Sequence, residues 1–137
     1  MQEPKTYRCI GLMSGTSLDG TDLACCRFIN REGGWEYEIE HATTVPYPNS
    51  WVNKLRSLFT ASAMDFSKAN ADLGIYYAGL INDFISENHI SQVDCIGSHG
   101  HTIFHQPANH FTTQIGSGAH IASLTGLQTV CDFRQAD

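Results

Sequence analysis

A polar segment rich in glycine and hydroxyl side chains separates two apolar runs near the start of the chain. The runs cover residues 7–13 and 22–30, and the segment between them reads Ser-Gly-Thr-Ser-Leu-Asp-Gly-Thr. Glycine, aspartate and serine favour tight turns, whereas short apolar runs bounded by such residues are typical of strands. The segment therefore predicts a β-hairpin whose turn presents backbone N–H groups and hydroxyls.

The periodicity of the following residues predicts a third strand and two helices. Residues 35–45 alternate Trp, Tyr and Ile with Glu, which predicts a half-buried strand. Prolines end this strand, and Asn49 or Ser50 can cap a short helix. From Asp65 onward, apolar side chains recur at three- and four-residue steps, which predicts a longer helix with one face on a core.

The last third of the sequence alternates strands and helices. Residues 93–97 predict a brief buried strand, which a polar loop extending to Thr113 follows. A helix opens at residues 116–118 and runs to Leu124, and residues 127–131 form a final strand. Three meandering strands followed by strand–helix alternation predict an α/β fold with the mixed sheet of ribonuclease-H-like, actin-like ATPase domains.

Composition and charge exclude several classes of partner. The 137 residues carry a formal net charge of −6 and only 8 Lys and Arg, so no basic surface for nucleic acid or an anionic membrane is expected. No apolar run approaches the roughly 18 residues that a membrane span requires. The 5 cysteines include no CxxC pair, which favours free thiols with core roles in a reducing, cytoplasmic location.

The first turn has the chemistry of a phosphate-binding loop. Oriented N–H groups and hydroxyls can hold a triphosphate without a lysine, and no Walker A lysine follows the glycines. The carboxylates of Asp19 and Asp22 could orient water around a Mg²⁺ ion that bridges phosphates. A hydrophilic hairpin turn without a ligand is the alternative. The candidate phosphate-binding residues are Gly15, Thr16, Ser17, Leu18, Asp19, Gly20, Thr21 and Asp22.

Four histidines follow the strand predicted at residues 93–97. His99 and Thr102 stand where a strand ends, so they could hydrogen-bond a polar neutral ligand at the carboxyl edge of the sheet. A zinc site is the alternative for this cluster, but no cysteine or carboxylate lies nearby in the sequence to complete it. His105 and His110 fit solvated or core roles, and we predict no metal-ligating residue.

Two further segments could bind an anion. Residues 114–118 precede a helix and could present N–H groups, although a plain tight turn explains them equally well. Arg134 would suit a substrate carboxylate through a bidentate contact. A salt bridge from Arg134 to Asp132 or Asp137 is the structural alternative.

Taken together, these motifs resemble those of the anhydro-N-acetylmuramic acid kinases. The resemblance rests on residues 11–22, 96–102, 114–116 and 132–137, and it extends over essentially the whole chain. His101 is a departure, because the family more often has Gln there. The resemblance implies an actin-like sugar kinase that uses ATP and Mg²⁺. In the implied reaction, water opens the anhydro ring of 1,6-anhydro-N-acetylmuramic acid while O6 is phosphorylated, which gives N-acetylmuramic acid 6-phosphate during peptidoglycan recycling.

The same resemblance implies roles for individual residues. Residues 15–22 would contact the phosphates of ATP, and His99 with Arg134 would hold the sugar and its lactyl carboxylate. The catalytic aspartate that activates the water is expected in an Asp-Thr-Gly-Pro-Gly-Asn segment after Asp137. Residues 1–137 would then be the amino-terminal lobe of a two-lobe kinase, inactive alone, and the full-length protein could form a homodimer. A non-catalytic actin-like nucleotide-binding module and a zinc-dependent hydrolase are the alternative functions.

Overall fold

The computed structural model describes residues 3–136, in which an initial three-stranded meander is followed by two helices, a β-hairpin, a third helix and a last strand. The strands are β1 (Lys5–Ser14), β2 (Gly20–Arg31), β3 (Gly34–Pro46), β4 (Cys95–Gln106), β5 (Phe111–Ile115) and β6 (Thr129–Cys131). The α-helices are α1 (Asn49–Ser57), α2 (Ala63–Glu87) and α3 (Gly118–Thr125). Short 3₁₀ turns cover Leu58–Thr60, Pro107–Asn109 and Phe133–Ala136. Across residues 3–136, every helix is too short or too polar to cross a membrane.

The strands form one mixed sheet. Neighbouring strands follow the order β3-β2-β1-β4-β5, and β6 pairs with the first residues of β4. The pairs β1–β2 and β2–β3 are antiparallel, whereas β4 runs parallel to both β1 and β6. This arrangement confirms the predicted α/β fold, in which three antiparallel strands precede strand–helix alternation.

The hydrophobic core lies between the helices and one face of the sheet, which we call the covered face. Alternate strand residues point into it, so Ile10, Leu12 and Leu23 are at most 2% exposed. Leu73 and Tyr77 of α2 pack against them and are fully buried. Burying an apolar side chain of this size contributes about 1.5–3 kcal/mol, so the covered face dominates the stability of the chain.

The opposite face of the sheet, here called the open face, carries no helix within residues 3–136. Small residues of four adjacent strands line a shallow groove of about 670 Å³ on this face, and Met13, Asp22 and Phe133 stand along it. The small residues of the groove are Gly11, Ala24, Ala42 and Gly97. Apolar surface of this kind is therefore left accessible beside the end of β1.

The predicted third strand forms, but the prediction that it is half-buried is wrong. Trp35, Tyr37 and Ile39 are 58%, 71% and 58% exposed, because β3 is an edge strand whose apolar residues lie on the open face. Their rings contact neighbouring strands at centroid distances of 5.9 Å for Tyr7–Trp35 and 6.4 Å for Phe28–Tyr37. Alternation shows that a strand has two unlike faces, but it does not show that a helix covers one of them.

The prediction of a polar loop up to Thr113 is also wrong, because the chain forms a β-hairpin here. β4 continues to Gln106, a 3₁₀ turn follows, and β5 returns antiparallel to it. The register shifts between Thr102 and Phe104, and His110 adopts a left-handed conformation with φ of 61°. Polar and histidine side chains on both strands conceal the alternation that would have predicted the hairpin.

The predicted helix starts are partly correct. Neither Asn49 nor Ser50 caps α1, since Pro48 occupies the N-cap position without a side-chain hydrogen bond. The longer helix begins at Ala63 rather than Asp65, and Ser62 caps it by accepting from the N–H of Asp65. The third helix and its glycine terminator agree with the prediction, since Gly126 is the left-handed C-cap.

Candidate functional site

Three parallel strands bring the predicted site residues to one edge of the sheet. β1 ends at Ser14 and β6 ends at Cys131, and each strand pairs with β4 at that level. The turn that follows β1, the β4 segment around His99 and the residues that follow β6 therefore lie together. Ligands of open α/β sheets bind outside the carboxyl ends of the strands, so this edge is the candidate site.

The turn between β1 and β2 is short and internally hydrogen-bonded. The N–H of Leu18 donates to the carbonyl of Gly15 at 3.3 Å, and Leu18 takes a left-handed conformation with φ of 60°. The Ser17 hydroxyl donates to the Asp19 carboxylate. This hydrogen bond holds the pKa of Asp19 below its ordinary value, so the exposed carboxylate is ionised at neutral pH.

Gly20, at the start of β2, is required by packing rather than by a ligand. A Cβ atom at this position would lie 2.5 Å from the carbonyl oxygen of Val45 in β3. No side chain fits in that space, so the close approach of two backbones selects glycine.

The two residues that follow Gly20 point to opposite faces of the sheet. Thr21 is fully buried on the covered face, and its hydroxyl has no hydrogen-bond partner among the described residues. Asp22 is exposed on the open face, where it accepts a hydrogen bond from the Thr44 hydroxyl. The side chains of the predicted phosphate-binding string therefore do not all face the same volume.

A buried chain of hydroxyl groups lies beneath the turn. The Tyr47 hydroxyl donates to Ser14 Oγ at 2.7 Å and lies 2.8 Å from the Tyr77 hydroxyl. Ser14 Oγ lies 2.8 Å from Nδ1 of His101. Burial raises the pKa of Tyr77 well above its ordinary value, so its hydroxyl stays protonated and can donate to Tyr47. The chain ties the last residue of β1 to β4, to α2 and to the segment before α1.

The family resemblance gave no role to His101. In the structure its partner is the Ser14 hydroxyl. His101 is 4% exposed, and burial lowers the pKa of its imidazole while a hydrogen bond to the Ser14 backbone opposes this effect. A neutral ring can accept the Ser14 proton at Nδ1. The sequence gives no signal for this network, because its hydrogen-bonded pairs are 30, 33 and 87 residues apart.

His99 and Arg134 are in direct contact. Arg134 Nη1 lies 3.3 Å from His99 Nε2, and His99 Nδ1 lies 3.1 Å from the carbonyl oxygen of Gly100. A guanidinium can only donate, so Nε2 accepts and the ring proton sits on Nδ1, facing the Gly100 carbonyl. The phenyl ring of Phe133 packs beside the imidazole at 6.2 Å. The two residues that the family resemblance assigns to the sugar thus form one unit.

A polar cavity of about 260 Å³ opens beside His99. Ser98 and Gln114 line it, and among residues 3–136 neither Ser98 Oγ nor Gln114 Oε1 has a hydrogen-bond partner, although both atoms are buried. Unpartnered buried oxygens are uncommon and often face a ligand or water. Thr102 does not line this cavity, since its hydroxyl accepts from Gln114 Nε2 at 3.1 Å in the β4–β5 hairpin.

The N–H groups of Gly116 and Ser117, just before α3, are already used. The Gly116 N–H donates to Asn70 Oδ1 at 2.9 Å, and the Ser117 N–H donates to the Asn70 carbonyl at 3.0 Å. Ser117 caps α3 by accepting from the N–H of His120. Of the two interpretations of residues 114–118, the structure favours the plain turn over the anion site.

The histidines of β4 have separate partners and do not share one site. His99 contacts Arg134, His101 contacts Ser14, and His105 contacts the Thr112 hydroxyl at 3.3 Å. Within residues 3–136, no group of three or more His, Cys, Asp or Glu side chains is arranged to hold a metal ion. The geometry gives no support to the zinc-hydrolase alternative.

Comparison with known proteins assigns the chain to a family. The family model described as anhydro-N-acetylmuramic acid kinase matches residues 7–137. Curated proteins of that name are similar to this chain. The one from Pseudoalteromonas atlantica is 35% identical over 139 residues, which cover 92% of this chain and 35% of the relative. The one from Pasteurella multocida is 37% identical over 144 residues, which cover 100% of this chain and 37% of the relative. A third, from Bacillus cereus, is 36% identical over 137 residues, which cover 93% of this chain and 36% of the relative. The chain spans about a third of the length of these relatives.

Proposed function

The chain belongs to the anhydro-N-acetylmuramic acid kinase family, and from this we propose that it forms the amino-terminal lobe of an ATP-dependent sugar kinase. The proposed reaction opens the 1,6-anhydro ring of anhydro-N-acetylmuramic acid with water and phosphorylates O6. Its product, N-acetylmuramic acid 6-phosphate, would serve peptidoglycan recycling. We also propose a cytoplasmic location, which the free thiols at all five cysteine positions support.

One observation carries the proposal: two chemically different groups of residues lie at the edge of the sheet where β1 and β6 end beside β4. The turn after β1 offers hydroxyls, N–H groups and the ionised Asp19. The His99–Arg134 unit lies across β4, beside a polar cavity. A kinase must hold a triphosphate and a sugar next to each other, and this edge offers a suitable surface for each.

The turn residues would hold the phosphates of ATP. The exposed Thr16 hydroxyl and the surrounding backbone N–H groups can donate to phosphate oxygens, while the Ser17 hydroxyl donates to Asp19. Asp19 and Asp22 fit a Mg²⁺ ion that keeps most of its water, because both carboxylates are exposed and one is held ionised by Ser17. When bound, Mg²⁺ would neutralise charge on the transferred phosphoryl group.

The His99–Arg134 unit would hold the sugar. The planar guanidinium of Arg134 suits the lactyl carboxylate, and the His99 contact fixes the orientation of the guanidinium. Ser98 Oγ could donate or accept a hydrogen bond, and Gln114 Oε1 could accept one from a sugar hydroxyl or from the N–H of the N-acetyl group. Thr102 would act through Gln114, which it holds by a hydrogen bond. The aspartate that activates water would come from a segment beyond Asp137, so we propose that this chain alone does not turn over.

The experiment uses a protein that contains this chain at the length of its curated relatives. It is incubated with ATP, Mg²⁺ and anhydro-N-acetylmuramic acid, and sugar phosphate is measured by mass spectrometry. The proposal predicts a phosphorylated muramic acid and an equal amount of ADP. ADP release without sugar phosphate would instead favour a nucleotide-binding module that is not a sugar kinase.

A paired substrate tests the role of Arg134. Arg134→Ala should lower kcat/KM for anhydro-N-acetylmuramic acid roughly 10- to 100-fold, because a charge-assisted hydrogen bond is lost. The matched sugar 1,6-anhydro-N-acetylglucosamine lacks the lactyl carboxylate, so the same substitution should change its kcat/KM little. An equal loss with both sugars would rule out the assigned carboxylate contact.

A further inference from the structure

Two cysteine thiols lie side by side in the centre of the sheet. Cys9 of β1 and Cys95 of β4 are Cα partners in parallel strands, and their Sγ atoms are 3.2 Å apart. Both are half-buried on the open face, where no helix of residues 3–136 separates them from solvent. A disulfide bond is about 2.0 Å long, so a shift of roughly 1 Å would join the two sulfurs.

The other cysteines are placed differently. Cys26 is the Cα partner of Cys9 on the opposite side, in β2, but it lies at a register shift in the β2–β3 pairing. Cys25 is buried on the covered face, where its Sγ lies 3.8 Å from Glu40 Oε2. Cys131 is exposed in β6 and belongs to a different strand pair. Among the described residues, Cys9 and Cys95 are the two whose thiols meet.

We propose that Cys9 and Cys95 form a reversible intrachain disulfide when the protein meets a peroxide. One thiol, as its thiolate, attacks a peroxide oxygen, which breaks the O–O bond and gives a sulfenic acid and an alcohol or water. The second thiol then attacks the sulfenic sulfur, the S–S bond forms, and water leaves. Two thiols are oxidised, one peroxide is reduced, and a low-molecular-weight dithiol reverses the reaction.

The surroundings of the pair make this reaction slow at neutral pH. Burial, assisted by the hydrogen bond with Cys95, raises the pKa of Cys9 to about 12. Cys95, Asp94 and Cys26 are the titratable groups around it, and each favours the protonated thiol. Since the thiolate is the reactive form, the rate of crosslinking should rise as pH increases. The pair would therefore respond to sustained rather than brief oxidation.

The crosslink would join the two strands that carry the candidate site. β1 leads to the turn after Ser14, and β4 leads to His99 and His101. The chain between Cys9 and Cys95 includes β2, β3, α1 and α2, so the disulfide would close a long loop and restrict the unfolded chain. The oxidised protein should therefore melt at a higher temperature than the reduced protein.

The test oxidises the purified chain with hydrogen peroxide, blocks remaining thiols with N-ethylmaleimide under denaturing conditions, and maps peptides without reduction. The expected result is a linked pair of peptides that contain Cys9 and Cys95, an upward shift of the melting temperature, and reversal of both by dithiothreitol. Five blocked thiols before oxidation should become three. Cys26→Ser should leave the link intact, and Cys9→Ser should abolish it.

The peptide map of the unsubstituted chain decides the question even if a variant fails to fold. A Cys9–Cys26 link would overturn the proposal, as would a chain dimer joined through Cys131. Sulfinic acid at Cys9 without any crosslink would also overturn it, because it would show that the neighbouring thiol does not reach the oxidised sulfur. These outcomes do not depend on the kinase activity proposed above.

Discussion

On the covered face of the sheet, Ile10 and Leu23 are buried against helices that include Tyr77, whereas Met13 and Tyr37 on the open face are 48% and 71% exposed. Both faces are built from the same strands, and successive residues alternate between them. The covered face combines a packed core with the hydroxyl chain that holds Ser14. The open face combines small residues, exposed apolar side chains and the Asp22 carboxylate.

This contrast separates two roles along each strand. Residues that point to the covered face fix the position of the turn, because they are locked by packing and hydrogen bonds. Residues that point to the open face contribute little to the stability of residues 3–136 and are accessible to ligands or to other protein surface. Adjacent positions in β1 and β2 should therefore respond very differently to the same kind of substitution.

The largest difference is expected between neighbouring residues of β1. Leu12→Ala should destabilise the chain by about 2–5 kcal/mol, because it leaves a cavity in the core. Met13→Ala should change stability by less than about 1 kcal/mol, since the side chain is half exposed. Urea unfolding of both variants measures the difference. Equal losses would show that the open face is covered in solution.

Two glycines of β4 provide the next comparison. Gly100 has φ of 71°, and a Cβ there would lie 2.4 Å from the Ile115 carbonyl oxygen, so Gly100→Ala should cost roughly 1–3 kcal/mol. A Cβ at Gly97 would meet no atom of residues 3–136 within 4 Å, so Gly97→Ala should stay within about 0.5 kcal/mol of the parent. Thermal unfolding compares the two. A neutral Gly100→Ala would contradict the described path of the β4–β5 hairpin.

Substitutions in the buried hydroxyl chain should have an intermediate effect on the free energy of unfolding. His101→Leu should cost about 1–3 kcal/mol, because it removes the partner of a buried Ser14 hydroxyl. His101→Gln should recover part of this loss, since an amide can replace the hydrogen bond. Chemical unfolding at neutral pH measures both variants, and the account fails here if leucine and glutamine behave alike.

The same residue predicts a pH dependence. Burial lowers the pKa of His101 from its ordinary 6.5, so below pH 6.5 the unfolded chain binds more protons than the folded chain. Stability from the neutral imidazole is present above pH 6.5 and is lost as pH falls towards the folded pKa. Comparing unfolding of the parent and His101→Gln between pH 7.5 and about pH 5 isolates this effect. The parent should lose more stability, and parallel curves would refute the prediction.

The smallest effect is expected at Thr21. Its buried hydroxyl lacks a partner among the described residues, so Thr21→Val should stabilise the chain, by no more than about 1 kcal/mol. The adjacent Asp22 lies on the open face, so Asp22→Asn should leave the stability of the chain nearly unchanged. In a protein of the relatives' length, the same substitution should weaken ATP binding. A marked loss of stability in Thr21→Val would show that the hydroxyl is hydrogen-bonded.

Much of the fold follows from local patterns in the sequence. The hairpin around residues 14–21, the three-residue and four-residue steps of α2 and the glycine that ends α3 each have a local physical cause. The β4–β5 hairpin does not, because histidines and other polar residues occupy positions that alternation would make apolar. Within residues 3–136 no helix covers the open face, and because this depends on long-range packing, no residue of β3 could predict it.

The site divides in the same way. The turn could be recognised locally, and its Asp19–Ser17 hydrogen bond involves residues two apart. The contact of His99 with Arg134 joins residues 35 apart, and only the family resemblance suggested that they share a ligand. Tyr47 and Tyr77 gave no functional signal, and nothing in the sequence joined them to Ser14 of the predicted turn, since a buried hydrogen-bond chain depends on the completed fold.

We propose that the edge where β1 and β6 end beside β4 belongs to an enzyme that couples phosphorylation at O6 to opening of the anhydro ring by water. The direct test is the reaction of a protein of the relatives' length with ATP and anhydro-N-acetylmuramic acid in oxygen-18 water. We expect N-acetylmuramic acid 6-phosphate that carries oxygen-18 at C1, in excess of the label that unlabelled product gains by exchange over the same time. A sugar phosphate without that label, or no sugar phosphate, would contradict it.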